Sequence, residues 1–152
     1  MSNAMEIRSL TWEPGRRFAI KDLNITVPKR AIYGFLGPNG SGKTSTIRLF
    51  MGMARSGSGS MQVLGKRVPA DMPEILARVG FVPETSHLYP WLSVEEAVRV
   101  HGAFYPHWDA SWAEKMRQAF RLDPRARVGK LSKGERGKLL ILLALAQRPE
   151  LL

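Results

Sequence analysis

The chain has 152 residues, 44% apolar and 9% aromatic, enough for a globular domain with a core and against extended disorder. Its 23 basic and 13 acidic residues give a formal charge of +10, but no run of five like charges occurs, so a generally basic surface is favoured over a nucleic-acid site. The absence of cysteine excludes a disulfide framework and a thiolate metal site, and the longest apolar run, 139–146, falls far short of the roughly 20 residues of a membrane span. No basic-then-apolar leader opens the chain, which is expected to be soluble and intracellular.

Met1-Ser2-Asn3-Ala4 ahead of Met5 reads as a remnant of an expression vector, outside the fold proper. Residues 5–12 and 18–27 are predicted strands joined as a hairpin through Glu13-Pro14-Gly15, the second alternating through Phe18, Ile20, Leu23, Ile25 and Val27 with one irregularity near Asp22. A third strand over 31–36 runs directly into a glycine-rich loop. A helix from Thr44 to Met51 follows, ended by Gly52. Ser56 to Ser60 reads as a turn before a strand over 61–64, 73–77 as a short helix, and 79–82 as a buried strand stopped by Pro83. Beyond it the pattern is helical. Ser93-Val94-Glu95-Glu96 and Ser111-Trp112-Ala113-Glu114 are capping-box signatures for helices reaching about Phe104 and Arg121, and a last helix runs from Ser132 to before Pro149.

The loop Gly37-Pro38-Asn39-Gly40-Ser41-Gly42-Lys43-Thr44 carries the chemistry of a phosphate cradle. Glycines let backbone N–H groups point inward around several negative charges, and the helix starting at Lys43 aims its positive dipole end at the same place. The Lys43 ammonium is placed for the β- and γ-oxygens, the Thr44 hydroxyl for magnesium, and Ser45 for the α-phosphate. A nucleoside triphosphate with magnesium is the expected ligand.

Downstream, Leu131-Ser132-Lys133-Gly134-Glu135 opens the last helix. Together with the P-loop and their spacing, it resembles the L-S-G-G-Q signature of ATP-binding-cassette (ABC) ATPases, with Lys133 for the first glycine and Glu135 for the glutamine. The resemblance implies an α/β P-loop core of the ABC type, here incomplete, with an antiparallel β subdomain and an α-helical subdomain. It further implies that Ser132, Lys133, Gly134 and Glu135 act in trans on ATP held by a second ATP-binding subunit, the same chain or another, in a head-to-tail dimer. An ordinary helix cap at Ser132 is the plainer alternative.

By the same resemblance Glu84 occupies the place of the Q-loop glutamine near magnesium and the attacking water, against a plain solvated carboxylate. Trp12 stands where the family places an aromatic on adenine, against a place in the hairpin core. Tyr89 and Trp91 lie where a membrane subunit docks, against packing within the helical subdomain. His87, His101 and His107 show no metal-ligand spacing and receive no catalytic role.

Hydrolysis also needs an acid at the end of a second apolar strand, and none is found. Pro149-Glu150-Leu151-Leu152 looks like the opening of that strand, so the chain reads as the N-terminal part of a longer ATPase, binding ATP and Mg2+ without turning ATP over. The expected organisation is residues 5–85 as nucleotide-binding core, 86–131 as helical subdomain and 132–152 as signature and following helix. The leading expectation is a transporter motor on the inner face of the cell membrane, most like bacterial ABC-2 exporters, with a transmembrane permease as partner and no nucleic acid. The alternative is a soluble ABC ATPase of the ribosome- or DNA-associated type.

Overall fold

A computed structural model describes residues 3–15, 18–55, 57–85 and 87–152, without the Phe18 side chain. The first two residues of the supposed vector remnant, Ser56 of the glycine-serine segment, and Ser86, where the helical region was expected to begin, lie outside them. The chain divides into two compact units, Met1–Leu76 and Ala77–Leu152.

The first unit is built on a four-stranded antiparallel sheet in the order β2-β1-β3-β4. Strand β1 (Asn3–Gly15) and strand β2 (Phe18–Pro28) form the expected hairpin. Asn3 and Ala4 belong to it: Asn3 pairs with Pro28, Ala4 is buried, and the Ala4 carbonyl accepts from Leu64 N–H at 2.8 Å.

The irregularity near Asp22 is one of four register shifts along the hairpin, and it offsets the one before it. Register passes from Ile7↔Ile25 to Leu10↔Leu23 with an extra residue on β1, and from there to Trp12↔Ile20 with an extra residue on β2. Ser9 and Asp22 absorb these at φ 45° and 46°, and Asn24 Oδ1 accepts from Ser9 N–H at 2.9 Å. A bulge switches side-chain parity. Ile7 and Leu10 are therefore both fully buried although three residues apart, and Ile20 and Ile25 are both buried although five apart.

Strand β3 (Ser58–Val63) begins earlier than expected, so Ser58-Gly59-Ser60 is strand rather than turn. Gly59 is required there: at φ +86° a Cβ would stand 2.5 Å from the Ser9 carbonyl oxygen and 2.6 Å from Leu10 Cα. Leu64 and Gly65, both at positive φ, then turn the chain into β4 (Lys66–Arg67), the two-residue geometry that suits strand twist.

Helix α1 (Lys43–Phe50) buries Thr46, Leu49 and Phe50. It ends at Gly52 as expected: Gly52 N–H donates to Leu49 O and Met53 N–H to Arg48 O, with Gly52 at φ 67°. Helix α2 (Met72–Leu76) buries Ile75. The expected strand over 31–36 does not form. Among the described residues no strand pairs with it, so no ladder holds it extended, and Ile32 and Leu36 are exposed.

The second unit packs α3 (Val94–Gly102), α4 (Ala110–Ala119) and α5 (Lys133–Ala146) around Val94, Ala97, Ala113, Leu122, Val128, Leu139, Leu142 and Leu143. Both N-terminal capping boxes, Ser93 with Glu96 and Ser132 with Glu135, are complete. Ser111 is not a cap. It lies inside α4, whose N-cap is Asp109, accepting from Trp112 N–H at 2.8 Å, while Glu114 turns to Arg117 and Gln118. The buried strand expected over 79–82 shrinks to Val79, in a parallel bridge with Leu151; Gly80 is also buried, and Phe81 and Val82 are exposed. Gln147 holds this end together by donating to Val79 O at 3.1 Å.

Candidate functional site

The loop before α1 is a tight turn shaped by its glycines. Gly40 at φ 83° and Gly42 at φ 97° occupy the left-handed region, which costs an L-residue roughly 1–2 kcal/mol and glycine nothing. Ser41 N–H donates to Pro38 O at 3.3 Å, closing the turn, and a Cβ on Gly37 would lie 2.9 Å from Ser41 Oγ. Lys43 Nζ spans the loop, donating to Gly37 O and Pro38 O at 2.7 Å each. An ammonium has three protons, so this clamp uses two and leaves one for an incoming phosphate.

The α1 terminus itself is bare. Gly42 is its N-cap, no side chain caps it, and no acidic residue lies in its first turn. Asn39, Gly40, Ser41 and Thr44 are exposed, and Lys43 and Ser45 half-exposed, so N–H donors, ammonium and hydroxyls are presented together at the positive end of a helix dipole.

The α5 terminus is finished differently. Ser132 Oγ accepts from Glu135 N–H at 3.2 Å, and Glu135 Oε2 accepts from Ser132 N–H at 2.8 Å. The Ser132 hydroxyl and N–H, helped by Lys138, hold the Glu135 carboxyl below the ordinary carboxylate range. All four residues Ser132 to Glu135 are exposed. Gly134 has a helical backbone, and nothing lies within 4 Å of where its Cβ would be. The fold therefore does not ask for a glycine there.

Glu84 is exposed in the segment after Pro83 and makes no hydrogen bond or ion pair with the described residues. Trp12 is half-buried in β1 opposite Ile20. Tyr89 and Trp91 are 56% and 63% exposed and lean on one another, ring centroids 4.9 Å apart, rather than packing into the helical core. His101 meets Tyr105 in a tilted contact and Trp108 edge-on, and burial pushes its pKa down.

A family model described as ABC transporter matches residues 20–152, a span that includes both the P-loop and the Ser132 turn. The chain belongs to the ABC transporter family. Among its relatives, a Nod factor export ATP-binding protein I of Cupriavidus metallidurans is 34% identical over all of this chain and 52% of its own length. The bacitracin transport ATP-binding protein BcrA of Bacillus licheniformis is 32% identical over all of this chain and 50% of its own length. The chain thus spans about half the length of the curated relatives it matches. A solved ATP-binding subunit of an ABC transporter superposes with a TM-score of 0.83 over 96% of this chain and 63% of its own, at 26% identity. A dimeric bacterial ABC transporter cassette shares the fold, with a TM-score of 0.78 over 95% of this chain and 70% of its own, at 20% identity.

In this ABC chain the first unit carries the P-loop and Trp12, and the second carries Glu84 and the Ser132 turn. Sequence reasoning missed two features of the site. The Lys43 clamp on Gly37 and Pro38 has no local signature. The Glu135 half of the α5 cap did: Ser132-Lys133-Gly134-Glu135 is itself a capping-box spacing.

Proposed function

We propose that this chain is the ATP-binding part of the motor subunit of an ABC exporter, the N-terminal portion of a longer ATPase. The observation that carries the proposal is the P-loop: an uncapped α1 terminus, two left-handed glycines and Lys43 clamped across the loop with one proton to spare. Gly37, Pro38, Asn39, Gly40, Ser41, Gly42, Lys43, Thr44 and Ser45 hold the phosphates of ATP, and Trp12, as an aromatic, takes the adenine. In a head-to-tail dimer Ser132, Lys133, Gly134 and Glu135 meet the ATP of the opposite copy. The exposed Tyr89–Trp91 pair, of residue types that interfaces favour, supports a docking face for a membrane permease, with the subunit on the inner face of the membrane. Export is supported by the names of the curated relatives, and no helix among the described residues is long and apolar enough to cross a membrane itself.

Magnesium suits the residues present. Thr44 and Glu84 offer exposed hard oxygens, and no cluster of three His, Cys, Asp or Glu exists among the described residues, so phosphate oxygens and water supply most of the shell, as this ion favours. When bound, the ion neutralises the phosphates. By the family resemblance, Glu84 is the residue that would orient water. No acid follows a second apolar strand, so the chain by itself binds ATP and does not turn it over.

The test is calorimetric ATP·Mg2+ binding by the chain and by Lys43→Ala. Loss of a charge-assisted hydrogen bond, worth roughly 1.5–3 kcal/mol, weakens binding by about 10- to 150-fold. Equal affinities would overturn the assignment of the site, and turnover at the rate of an intact ABC ATPase would overturn the division of labour.

A further inference from the structure

The two helix starts assigned to phosphate are opposites. That of α1 has neither a side-chain cap nor an acid in its first turn, whereas that of α5 is closed by its own carboxylate. At α5 the Ser132 N–H is already held by Glu135 Oε2 at 2.8 Å, and the Ser132 hydroxyl oxygen accepts from Glu135 N–H at 3.2 Å. Lys133 and Gly134, also in this first turn, are exposed, and the space over Gly134 is open. A phosphate approaching this turn therefore finds a competitor of its own charge seated on Ser132.

We propose that Glu135 is a positioning residue that acts as an electrostatic brake on closure of the composite ATP site, competing with the opposite copy's phosphates for Ser132. The inference rests on the reading in which the Ser132 turn of one copy meets ATP on the P-loop of another. Its physical core is that the cap does not need the charge. A capping box forms with glutamine as well as glutamate, so a neutral amide at 135 keeps Ser132 N–H satisfied while removing a full negative charge. Glutamate at this position favours the isolated helix, where an anion complements the dipole, and disfavours the phosphate-bound one. The closed dimer is thereby made weaker than the same site with glutamine, and it reopens more readily.

The experiment is sedimentation velocity of the purified chain with ATP and Mg2+, at low salt and near 1 M salt, for the unaltered chain, Glu135→Gln, Glu135→Ala and Lys43→Ala. Lys43→Ala abolishes ATP-driven association. Glu135→Gln tightens it by about 25-fold at low salt, about fivefold at each of the dimer's two sites, the size of one unit charge at contact in a water-like medium, and the gain disappears near 1 M salt, where screening reaches about 3 Å. Glu135→Ala, which loses cap and charge together, gains less. Lys43-dependent association that Glu135→Gln leaves unchanged or weakens overturns the brake while leaving the composite site standing. A gain that persists at high salt assigns the effect to the cap and overturns it too. No ATP-driven association in either the unaltered chain or Glu135→Gln removes the composite site and this inference together.

Discussion

Replacing Gly134 by alanine separates what α5 needs as a helix from what it offers a ligand. Gly134 is in the first turn, exposed, with a helical backbone and nothing within 4 Å of a Cβ built on it. On fold grounds alanine is the better residue: it removes unfolded-chain entropy and brings a gain of about 0.5–1 kcal/mol, or roughly 2–4 °C in melting temperature per kcal/mol for a chain of this size. If the glycine is present because a phosphate comes close to the backbone, the methyl group occupies the open space and ATP-driven association falls. Thermal unfolding followed by circular dichroism, paired with sedimentation in ATP and Mg2+, reads both effects on one sample. A Gly134→Ala chain that is as stable or more stable yet no longer associates is the expected result. A variant that associates like the unaltered chain refutes the close approach, and one that melts lower refutes the account of the turn.

Gly59→Ala is expected to cost about 2–4 kcal/mol, from a left-handed φ and from contact with the Ser9 and Leu10 backbone, which has no rotamer to give way; a cost under about 1 kcal/mol in urea unfolding would show that the β1 bulge yields. The helical unit is expected to lose stability in acid. Backbone donation from Ser93 lowers the Glu96 carboxyl and from Trp112 the Asp109 carboxyl, Arg117 and then Gln118 take Glu114 to about 2, and Ser132 lowers Glu135. A depressed folded-state pKa contributes stability that is complete above the unfolded value, 4.5 for glutamate, and is lost as pH falls through the folded one. His101, depressed by burial from 6.5, has the same sign and starts its loss earlier, as pH drops below its unfolded value. Urea midpoints that fall from about pH 6.5 and then steeply below about 4.5, with a shallower acid limb in Glu114→Gln, are the expected pattern; midpoints flat down to about pH 2 would refute it.

What was legible in the sequence is what neighbouring residues decide among themselves. The P-loop needs glycines, a lysine and a hydroxyl within eight positions, and the structure returns Gly40 and Gly42 at positive φ with Lys43 across the loop. The broken alternation at Asp22 was visible because a bulge changes parity, although its counterpart at Ser9 showed only once the two strands were in register. The misreadings arise where a distant partner decides. Residues 31–36 have the composition of a strand, yet a strand is defined by its ladder, and no described strand lies beside them. Ser111 and Asp109 are both competent caps two residues apart. Asp109 prevails because the rest of the unit fixes it, with Arg148 Nη2 donating to its carboxylate at 2.7 Å and its N–H donating to Ala146 O at 2.8 Å.

The same distinction bears on function. At α1 a glycine cap and the lack of a first-turn acid leave the helix start without a side-chain partner, so the proposed phosphate affinity would need nothing beyond this chain. At α5 the local sequence has already satisfied the helix, through Ser132 and Glu135, and has placed Lys133 beside them with the opposite charge. A phosphate would be accepted there only by displacing or outweighing an existing partner, so on the proposed reading the Ser132 turn contributes conditionally, when ATP is already fixed on the facing loop. On the proposed reading, a site divided in this way would bind nucleotide first and associate second, so that ATP would drive two copies together rather than be trapped by a dimer formed beforehand.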